Sequence, residues 1–282
     1  MTNVDTSISD HATGAAAREA AAHSAEHTLK LYAGWFCPFV QRAWMVLCEK
    51  HISYQYVEIN PYHKAPEFLA LNPRGLVPTL AVPVEHGTQR ELKPLYESLV
   101  ICEYLDEAYN DTDANGPSLL PGDAYLRARC RLWIDHVGSR IVPAFYRFLQ
   151  HTPEKDYSIE EARNKLHEQL KMFVREMDPA GPWFLGPTFS MVDVSLAPWA
   201  VRLWLIDYYK PDGLGTPAEG QGGEDEEVWQ RWRQWLAAVQ ERDSVKSTLS
   251  DREAYIEVYR RYAEDKTNSL VGQATRKGET LP

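Results

Sequence analysis

The stretch LKLYAGWFCPFVQRAWMVLCEK, from Leu29 to Lys50, decides the fold. Its first residues alternate apolar and polar side chains up to Gly34, which is typical of a short strand with one buried face. From Cys37 onward, apolar residues recur at helical spacing. This spacing predicts a helix that begins at Pro38, because the first turn of a helix does not need the N–H group that proline lacks. Cys37 is therefore predicted to lie at a strand-to-helix junction.

A thiol at such a junction can be reactive. The first turn of a helix has backbone N–H groups without intrahelical partners and carries the positive end of the helix dipole. The pKa of Cys37 is therefore expected to be lowered, so that part of the thiol is thiolate near neutral pH. The alternative is a small buried hydrophobic residue, as most free cysteines are. The junction position favours the reactive interpretation. The polar residues of the predicted helix fall on its other face: Gln41, Arg42, Glu49 and Lys50.

The composition limits the possible partners of the chain. At 282 residues it is long enough for two domains. A net charge of −10 and a pI near 5.4 argue against nucleic acid or an anionic membrane as the main partner. No apolar run approaches the ~18 residues that a membrane span needs. The four cysteines form no CxxC pair and no zinc-type spacing with the nine histidines, which predicts a metal-free protein of the reducing cytoplasm.

The first part of the chain is predicted to form a small α/β domain at residues 28–110. After the quoted stretch, period-two patterns and helical patterns alternate up to the next turn-rich segment. The predicted order of elements is βαβαββα. The further strand patterns lie at residues 53–60, 77–82 and 91–96, and the further helical patterns at 67–71 and 97–109.

The rest of the chain is predicted to be helical. Residues 111–122 are rich in turn-forming residues and are expected to be a linker. Residues 123–265 show helical patterns and no strand pattern, which predicts an all-α domain with a mobile Gly/Glu-rich loop at 213–227. Residues 1–27 do not resemble a targeting signal and are expected to be a loose extension. Residues 266–282 are expected to be a polar, disordered tail.

Three short pieces, in a fixed order, would suit a small peptide thiol as ligand. Cys37 supplies a sulfur nucleophile. Val77 precedes Pro78, and a cis bond, which is cheap only before proline, would turn the strand edge outward so that the Val77 backbone pairs with an extended peptide. Glu97 and Ser98 open a helix, where the Ser98 N–H and hydroxyl can hold a carboxylate while Glu97 faces an ammonium. A γ-glutamyl end presents both groups.

Each of these pieces also has a purely structural interpretation. Pro78 could begin an edge strand, and Glu97 with Ser98 could form an ordinary helix N-terminus. The presence of all the pieces together with Cys37 favours the functional interpretation.

On these residues, the first half of the chain resembles the thioredoxin-like domain of cytosolic glutathione transferases. WFCPF at residues 35–39, followed by Gln41 and Arg42, is similar to the omega class. The resemblance runs from about Leu29 to Glu264 and includes SLLPGD at the linker. The segment HKAPEFLALNPRGLVP is similar to fungal omega-like proteins. The resemblance implies a glutathione transferase fold, with an α/β thioredoxin-like N-terminal domain and an all-α helical C-terminal domain.

The resemblance also implies a ligand and a site. Glutathione would be the co-substrate, and Cys37 would form a mixed disulfide with it. A further contact is implied from the loop where His63 and Lys64 lie; the ammonium of Lys64 suits the glycine carboxylate better than a neutral histidine. The resemblance also implies that the protein forms a homodimer. The other residues implied or expected at the glutathione site are Phe36, Val77, Pro78, Glu97 and Ser98.

The mechanism expected from the sequence depends on Cys37 acting alone. Val40 replaces the second cysteine of a CxxC pair, and Cys48 would lie ~16 Å further along the helix, beyond disulfide reach. A second glutathione must therefore release the first. This suits removal of glutathione from glutathionylated substrates or small α-keto adducts, and dehydroascorbate reduction. It suits conjugation to electrophiles poorly, because conjugating family members use a tyrosine or serine hydroxyl there.

The second substrate is expected between the two predicted domains, against the first long helix of the helical domain. The candidates, chosen from placement alone, are Tyr125, Arg129, Trp133 and Trp199. For Trp133 and Trp199, core packing is the favoured role.

Two other classes of protein stay open. One is a non-enzymatic regulatory or binding protein with this fold, similar to the Ure2-like regulators, which would not need a cysteine at the helix start. The other is the intracellular chloride channel family, which shares CPF followed by Gln-Arg. Its membrane form would need a span from the first helix, and Arg42, Glu49 and Lys50 leave too short an apolar stretch for one.

Overall fold

The computed structural model describes residues 9–61, 63–86 and 89–281, and the chain forms two compact units. The first unit contains the described residues up to Leu119 together with Arg242–Tyr255. The second contains Leu120–Glu241 and the described residues from Ile256 onward. The boundary at Leu119 falls inside the predicted linker. The return of Arg242–Tyr255 to the first unit differs from the predicted single helical domain at 123–265.

The predicted order βαβαββα agrees with the structure over residues 30–108, and the first unit has one more helix before this range and one after it. The elements described up to Leu119 are α1 (Gly14–Ala22), β1 (Lys30–Ala33), α2 (Pro38–Glu49), β2 (Gln55–Glu58), α3 (Pro66–Leu71), β3 (Thr79–His86), β4 (Gln89–Leu95), α4 (Ser98–Ala108) and, within the predicted linker, α5 (Thr112–Asn115). The four strands form one sheet in the order β2-β1-β3-β4. Strand β1 runs parallel to β2 and antiparallel to β3, and β3 is antiparallel to β4. The fold class is thus thioredoxin-like, as predicted.

Helix α2 is buried on its polar side as well as on its apolar side. Nine of its twelve residues are buried, Gln41 and Arg42 among them. The cover on the polar side comes from the returning segment: Gln41 Nε2 donates to Thr248 Oγ1 at 3.0 Å, and Arg242 makes two hydrogen bonds with the Glu49 carboxylate at 2.8 and 2.6 Å. The polar face of the α2 pattern would ordinarily be exposed to solvent. In this structure it is an interior surface of the first unit.

The described part of the predicted loose extension is ordered, which corrects that expectation. Residues 14–22 form α1, in which Ala16 is fully buried and its N–H donates to the Leu249 carbonyl at 3.0 Å. The Tyr56 N–H donates to the His23 carbonyl at 2.8 Å, which ties the end of this segment to β2. Alanine favours helix, and its small side chain lets two backbones approach closely. The Ala-rich composition is therefore explained by packing.

The second unit contains helices and turns in its described residues. The helices after the linker are α6 (Ala124–His136), α7 (Val142–Leu149), α8 (Ile159–Arg175), α9 (Met191–Ala200), α10 (Trp204–Tyr209), α11 (Glu226–Glu241), α12 (Asp243–Ser247), α13 (Arg252–Ala263) and α14 (Leu270–Lys277). Of these, α12 and the start of α13 belong to the first unit. Helix α9 is buried at all ten residues. Its buried Asp193 accepts from the Ser190 and Phe184 N–H groups and from Trp235 Nε1, at 2.8, 2.9 and 2.7 Å. These bonds compensate for burial, which raises the pKa of Asp193.

Two further segments are more ordered than the sequence suggests. The predicted disordered tail contains α14, whose Ala274 is buried and whose Gly272 carbonyl accepts from Gln150 at 3.3 Å. The predicted mobile loop at 213–227 is tied to α8 at both ends. His167 bonds the Leu214 carbonyl at 2.8 Å, and Lys171 pairs with Asp225 at 2.7 Å. In both cases the partners are remote in sequence.

The far ends of α2 and α4 are joined by a buried ion pair. Lys50 Nζ lies 3.2 Å from Asp106 Oδ1, and the side chains are 1% and 3% exposed. Asp106 also accepts from the Leu119 N–H at 2.9 Å, so the same carboxylate anchors the segment that leaves the first unit.

Replacing Lys50 by methionine should strongly destabilise the protein, because the Asp106 carboxylate would then be buried without its cation. The expected loss is about 3–5 kcal/mol in the free energy of unfolding, measured by urea titration. The control is Lys93→Met, which removes an exposed pair with Glu91 and should cost under ~1 kcal/mol. Similar losses for the two variants would contradict this account of the buried pair.

Candidate functional site

Cys37 is the N-cap residue of α2, as the sequence predicts. Its N–H donates to the Gly34 carbonyl at 2.9 Å, and its φ and ψ of −78° and 119° are extended. The side chain is half-buried, and its Sγ lies 4.0 Å from the Val77 carbonyl oxygen. The thiol therefore lies at the start of a helix and close to Val77, two residues before β3.

The Val77–Pro78 peptide bond is cis, and β3 begins at the next residue. The turn before it is braced by Asn72, which is 1% exposed. The Asn72 amide donates to Thr79 Oγ1 at 2.9 Å, and that hydroxyl donates to the Leu76 carbonyl at 2.7 Å. The position of Val77 beside the thiol is therefore set by a buried polar network.

Lys64 lies beside Gly75, two residues before Val77, and Phe36 adjoins Cys37 in the sequence. Gly75 has a φ of +61°, which suits glycine, and its backbone lies against the Lys64 side chain. A Cβ placed on Gly75 would lie 3.1 Å from Lys64 Nζ. Lys64 is half-buried and His63 is exposed. The half-buried Phe36 packs edge-on against the buried Trp35, with 5.5 Å between ring centroids. Trp35 Nε1 donates to the Ser9 carbonyl at 2.9 Å.

Glu97 and Ser98 open α4, as predicted, with a backbone conformation that sequence patterns do not reveal. Glu97 has φ of +68°, an uncommon value for a non-glycine residue. Its carboxylate pairs with Arg74 Nη1 at 2.6 Å, and the Arg74 guanidinium lies 5.2 Å from the centre of the Tyr96 ring. Ser98 is 7% exposed, and its Oγ accepts from Arg42 Nη1 at 3.3 Å. The structure thus brings Cys37, Val77, Glu97 and Ser98 into the first unit with two arginines beside them.

Arg42 and Arg74 are the residues of this site whose place the sequence does not reveal. Arg42 belongs to the polar face of the α2 pattern, and only the returning segment shows that this face is buried. Arg74 lies in a turn, where a charged residue is usually solvated. The only local signal is its position three residues before Val77, on the approach to the strand edge.

The other three cysteines are poor nucleophiles. Burial, reinforced by the Glu19 carboxylate, raises the pKa of the Cys48 thiol well above its ordinary value. Burial raises the pKa of Cys102 to about 12, and burial together with Asp193 raises the pKa of Cys130 to about 11. The four cysteines are in the thiol form and not in disulfides.

The residues chosen for a second substrate belong to the second unit, and one of them has to be corrected. Trp199 is 1% exposed within α9, so it packs in the core and has no open surface to offer a substrate. Trp133 is half-buried, with its ring centroid 6.2 Å from that of Phe173. Arg129 pairs with Glu176 at 2.7 Å, and Tyr125 is 71% exposed. Tyr125, Arg129 and Trp133 are spaced by four residues and share one face of α6.

The described ranges also bear on metal binding and on membrane insertion. No cluster of three or more His, Cys, Asp or Glu side chains there could hold a metal ion. Among the helices of that part of the chain, none combines the length and the apolarity that crossing a bilayer requires.

Comparison with known proteins identifies the family. Residues 36–108 match the glutathione S-transferase N-terminal domain, and residues 156–238 match the C-terminal domain. The chain is 35% identical over 183 residues to glutathione S-transferase omega-1 of Sus scrofa. The matched region is 64% of this chain and 70% of that protein. The chain therefore belongs to the glutathione S-transferase family, whose members use glutathione as a co-substrate.

Solved structures point to the same class. Glutathione transferase Omega 3C from Trametes versicolor is 42% identical with a TM-score of 0.71, covering 87% of this chain and 99% of that one. A rice transferase solved in complex with glutathione is 26% identical with a TM-score of 0.65, covering 86% and 100% of the two chains. The predicted resemblance to omega-like transferases is confirmed.

Iodoacetamide should modify Cys37 well before the other cysteines at about pH 8, because the thiolate is the nucleophile and the other three have raised pKa values. The measurement is peptide mass spectrometry over a time course. The Cys37→Ser variant should lose the fast phase, and Cys48→Ser should keep it. Equally fast labelling of a second cysteine would contradict the assignment.

Proposed function

We propose that this transferase is a cysteine-dependent thiol transferase, which removes glutathione from glutathionylated substrates through a Cys37–glutathione mixed disulfide. The observation that carries the proposal is the position of the Cys37 thiol at the start of α2, 4.0 Å from the carbonyl oxygen of Val77. A peptide that pairs with the Val77 backbone would bring its own sulfur close to Cys37.

The charges around this edge suit the two ends of glutathione. Glu97, with its carboxylate half-exposed, offers a partner for the γ-glutamyl ammonium, and the Ser98 N–H and hydroxyl offer donors for the neighbouring carboxylate. At the other end, the half-buried Lys64 beside Gly75 offers a cation for the glycine carboxylate. The exposed His63 is the weaker candidate for that contact.

The proposed cycle consists of two thiol–disulfide exchanges. The Cys37 thiolate attacks the glutathione sulfur of a substrate disulfide, the substrate sulfur leaves and takes a proton, and a Cys37–glutathione disulfide forms. The thiolate of a second glutathione then attacks the glutathione sulfur of that bond. Glutathione disulfide leaves and the Cys37 thiolate is regenerated. Over the two steps, the substrate thiol is released reduced, and its glutathionyl group and one free glutathione leave as one glutathione disulfide.

The second glutathione is needed because no other thiol can take its place within α2. Cys48 lies eleven residues from Cys37 on the same helix, about 16 Å away along its axis. Dehydroascorbate reduction and removal of glutathione from α-keto adducts use the same regeneration step and are compatible with the site.

The direct test is incubation with glutathione disulfide followed by intact mass measurement. The chain should gain one glutathione, and a thiol reductant should remove it. Cys37→Ser should gain none, while Cys48→Ser should behave as the unmodified chain does. Absence of a Cys37-dependent adduct would overturn the thiol transferase mechanism. It would leave a non-enzymatic binding protein as the better account of the fold.

The two candidates for the glycine contact can be separated by substitution. Lys64→Met should raise the KM for glutathione roughly fivefold, because it removes a partly desolvated cation from a carboxylate. His63→Ala should leave KM nearly unchanged. Steady-state kinetics with a glutathionylated peptide measure both, and the opposite result would assign the contact to His63.

A further inference from the structure

Two contacts of equal spacing join helices α2 and α4. Arg42 and Lys50 lie eight residues apart in or next to α2, and their partners Ser98 and Asp106 lie eight residues apart in α4. Eight helical residues span about 12 Å. The two helices therefore run side by side in the same direction, held at both ends. The first contact, Arg42 to Ser98, lies at the end that carries the candidate site.

The Arg42–Ser98 contact restricts what the serine can do. A guanidinium only donates hydrogen bonds, so the Ser98 oxygen is the acceptor in this contact. A serine hydroxyl has a single proton, and that proton is then directed to a different acceptor. Ser98 is also the first residue of α4, where the backbone N–H groups and the helix dipole favour an anion. The hydroxyl is thus prepared to donate to a carboxylate.

The charge of Arg42 acts in the same direction. The residue is 2% exposed, and its Nη1 lies 3.3 Å from Ser98 Oγ. Arginine keeps its proton even when it is buried. A cation in a partly desolvated place acts on a nearby anion more strongly than a surface lysine would. An acceptor that bonds the Ser98 hydroxyl would therefore be favoured if it carried a negative charge.

We propose that Arg42 is a positioning residue that makes Ser98 a dedicated donor, and that it thereby sets a preference for ligands with the α-carboxylate of a γ-glutamyl group. This inference rests on the proposed function in taking glutathione as the ligand. It goes further in assigning the selectivity of the Ser98 end to a buried residue that the ligand does not touch. A merely structural Arg42 would hold α2 against α4 without changing the choice of ligand.

The test compares two ligands whose sulfur cannot react. One is S-methylglutathione, and the other is the same S-methyl peptide with 4-aminobutyrate in place of the γ-glutamyl residue, which lacks only the α-carboxylate. Binding is measured by calorimetry in a Cys37→Ser background, so that the result does not depend on thiol chemistry. The background protein should prefer S-methylglutathione by about ten- to a hundredfold, as expected for a charge-assisted hydrogen bond.

Arg42→Met should reduce this preference to within about threefold, with little change in the affinity for the ligand that lacks the carboxylate. The matched control is Gln41→Met, which replaces the neighbouring buried polar residue of α2 by the same side chain. It should keep the full preference, even if both affinities fall together. Full preference in Arg42→Met would overturn the inference.

Two further variants decide the matter if Arg42→Met does not fold. Arg42→Lys keeps the cation and one donor, and should keep part of the preference. Ser98→Ala should remove the preference, and adding Arg42→Lys to it should then change nothing further. Independent, additive effects of these two substitutions would overturn the inference. An intact ligand preference without a Cys37 adduct would contradict the thiol transferase mechanism alone, so the two failures are distinguishable.

Discussion

The organisation of the first unit depends on how the polar side of helix α2 is buried. Gln41, Arg42 and Lys50 are almost without solvent contact, and each makes a polar contact with a residue from a distant part of the chain. Buried charges and amides are tolerated when they are paired, and breaking such a pair leaves an uncompensated group. The polar contacts of α2 therefore fix where α4 and the returning segment lie.

This arrangement controls the candidate site because α2 and α4 both begin there. Cys37 caps the first helix, and Glu97 and Ser98 open the second. Helices held at both ends keep their starts at a constant spacing, so the Cys37 thiol and the proposed carboxylate site at Ser98 keep a constant separation. The third piece, Val77, is positioned separately, by the buried Asn72 and the Thr79 hydroxyl.

The two kinds of chemistry at the site come from different parts of the structure. The reactivity proposed for Cys37 depends on local features, namely its place at a helix start and its partial exposure. The selectivity proposed for the Ser98 end depends on Arg42, which acts from inside the protein. The strained backbone of Glu97, at φ of +68°, also depends on the protein around it, because such conformations persist only where the surrounding structure holds them. Its partner Arg74 keeps the carboxylate oriented at the surface.

The sequence alone determined the βαβαββα order, the position of Cys37 and the starts of β3 and α4, because these follow from the spacing of neighbouring residues. Tertiary structure decided that α1 and α14 are ordered, that Arg242–Tyr255 joins the first unit, and that Trp199 is a core residue. It alone showed that Arg42 faces Ser98. Such contacts join residues from about 60 to 240 positions apart, and a local pattern carries no information about which distant segment will cover a polar face.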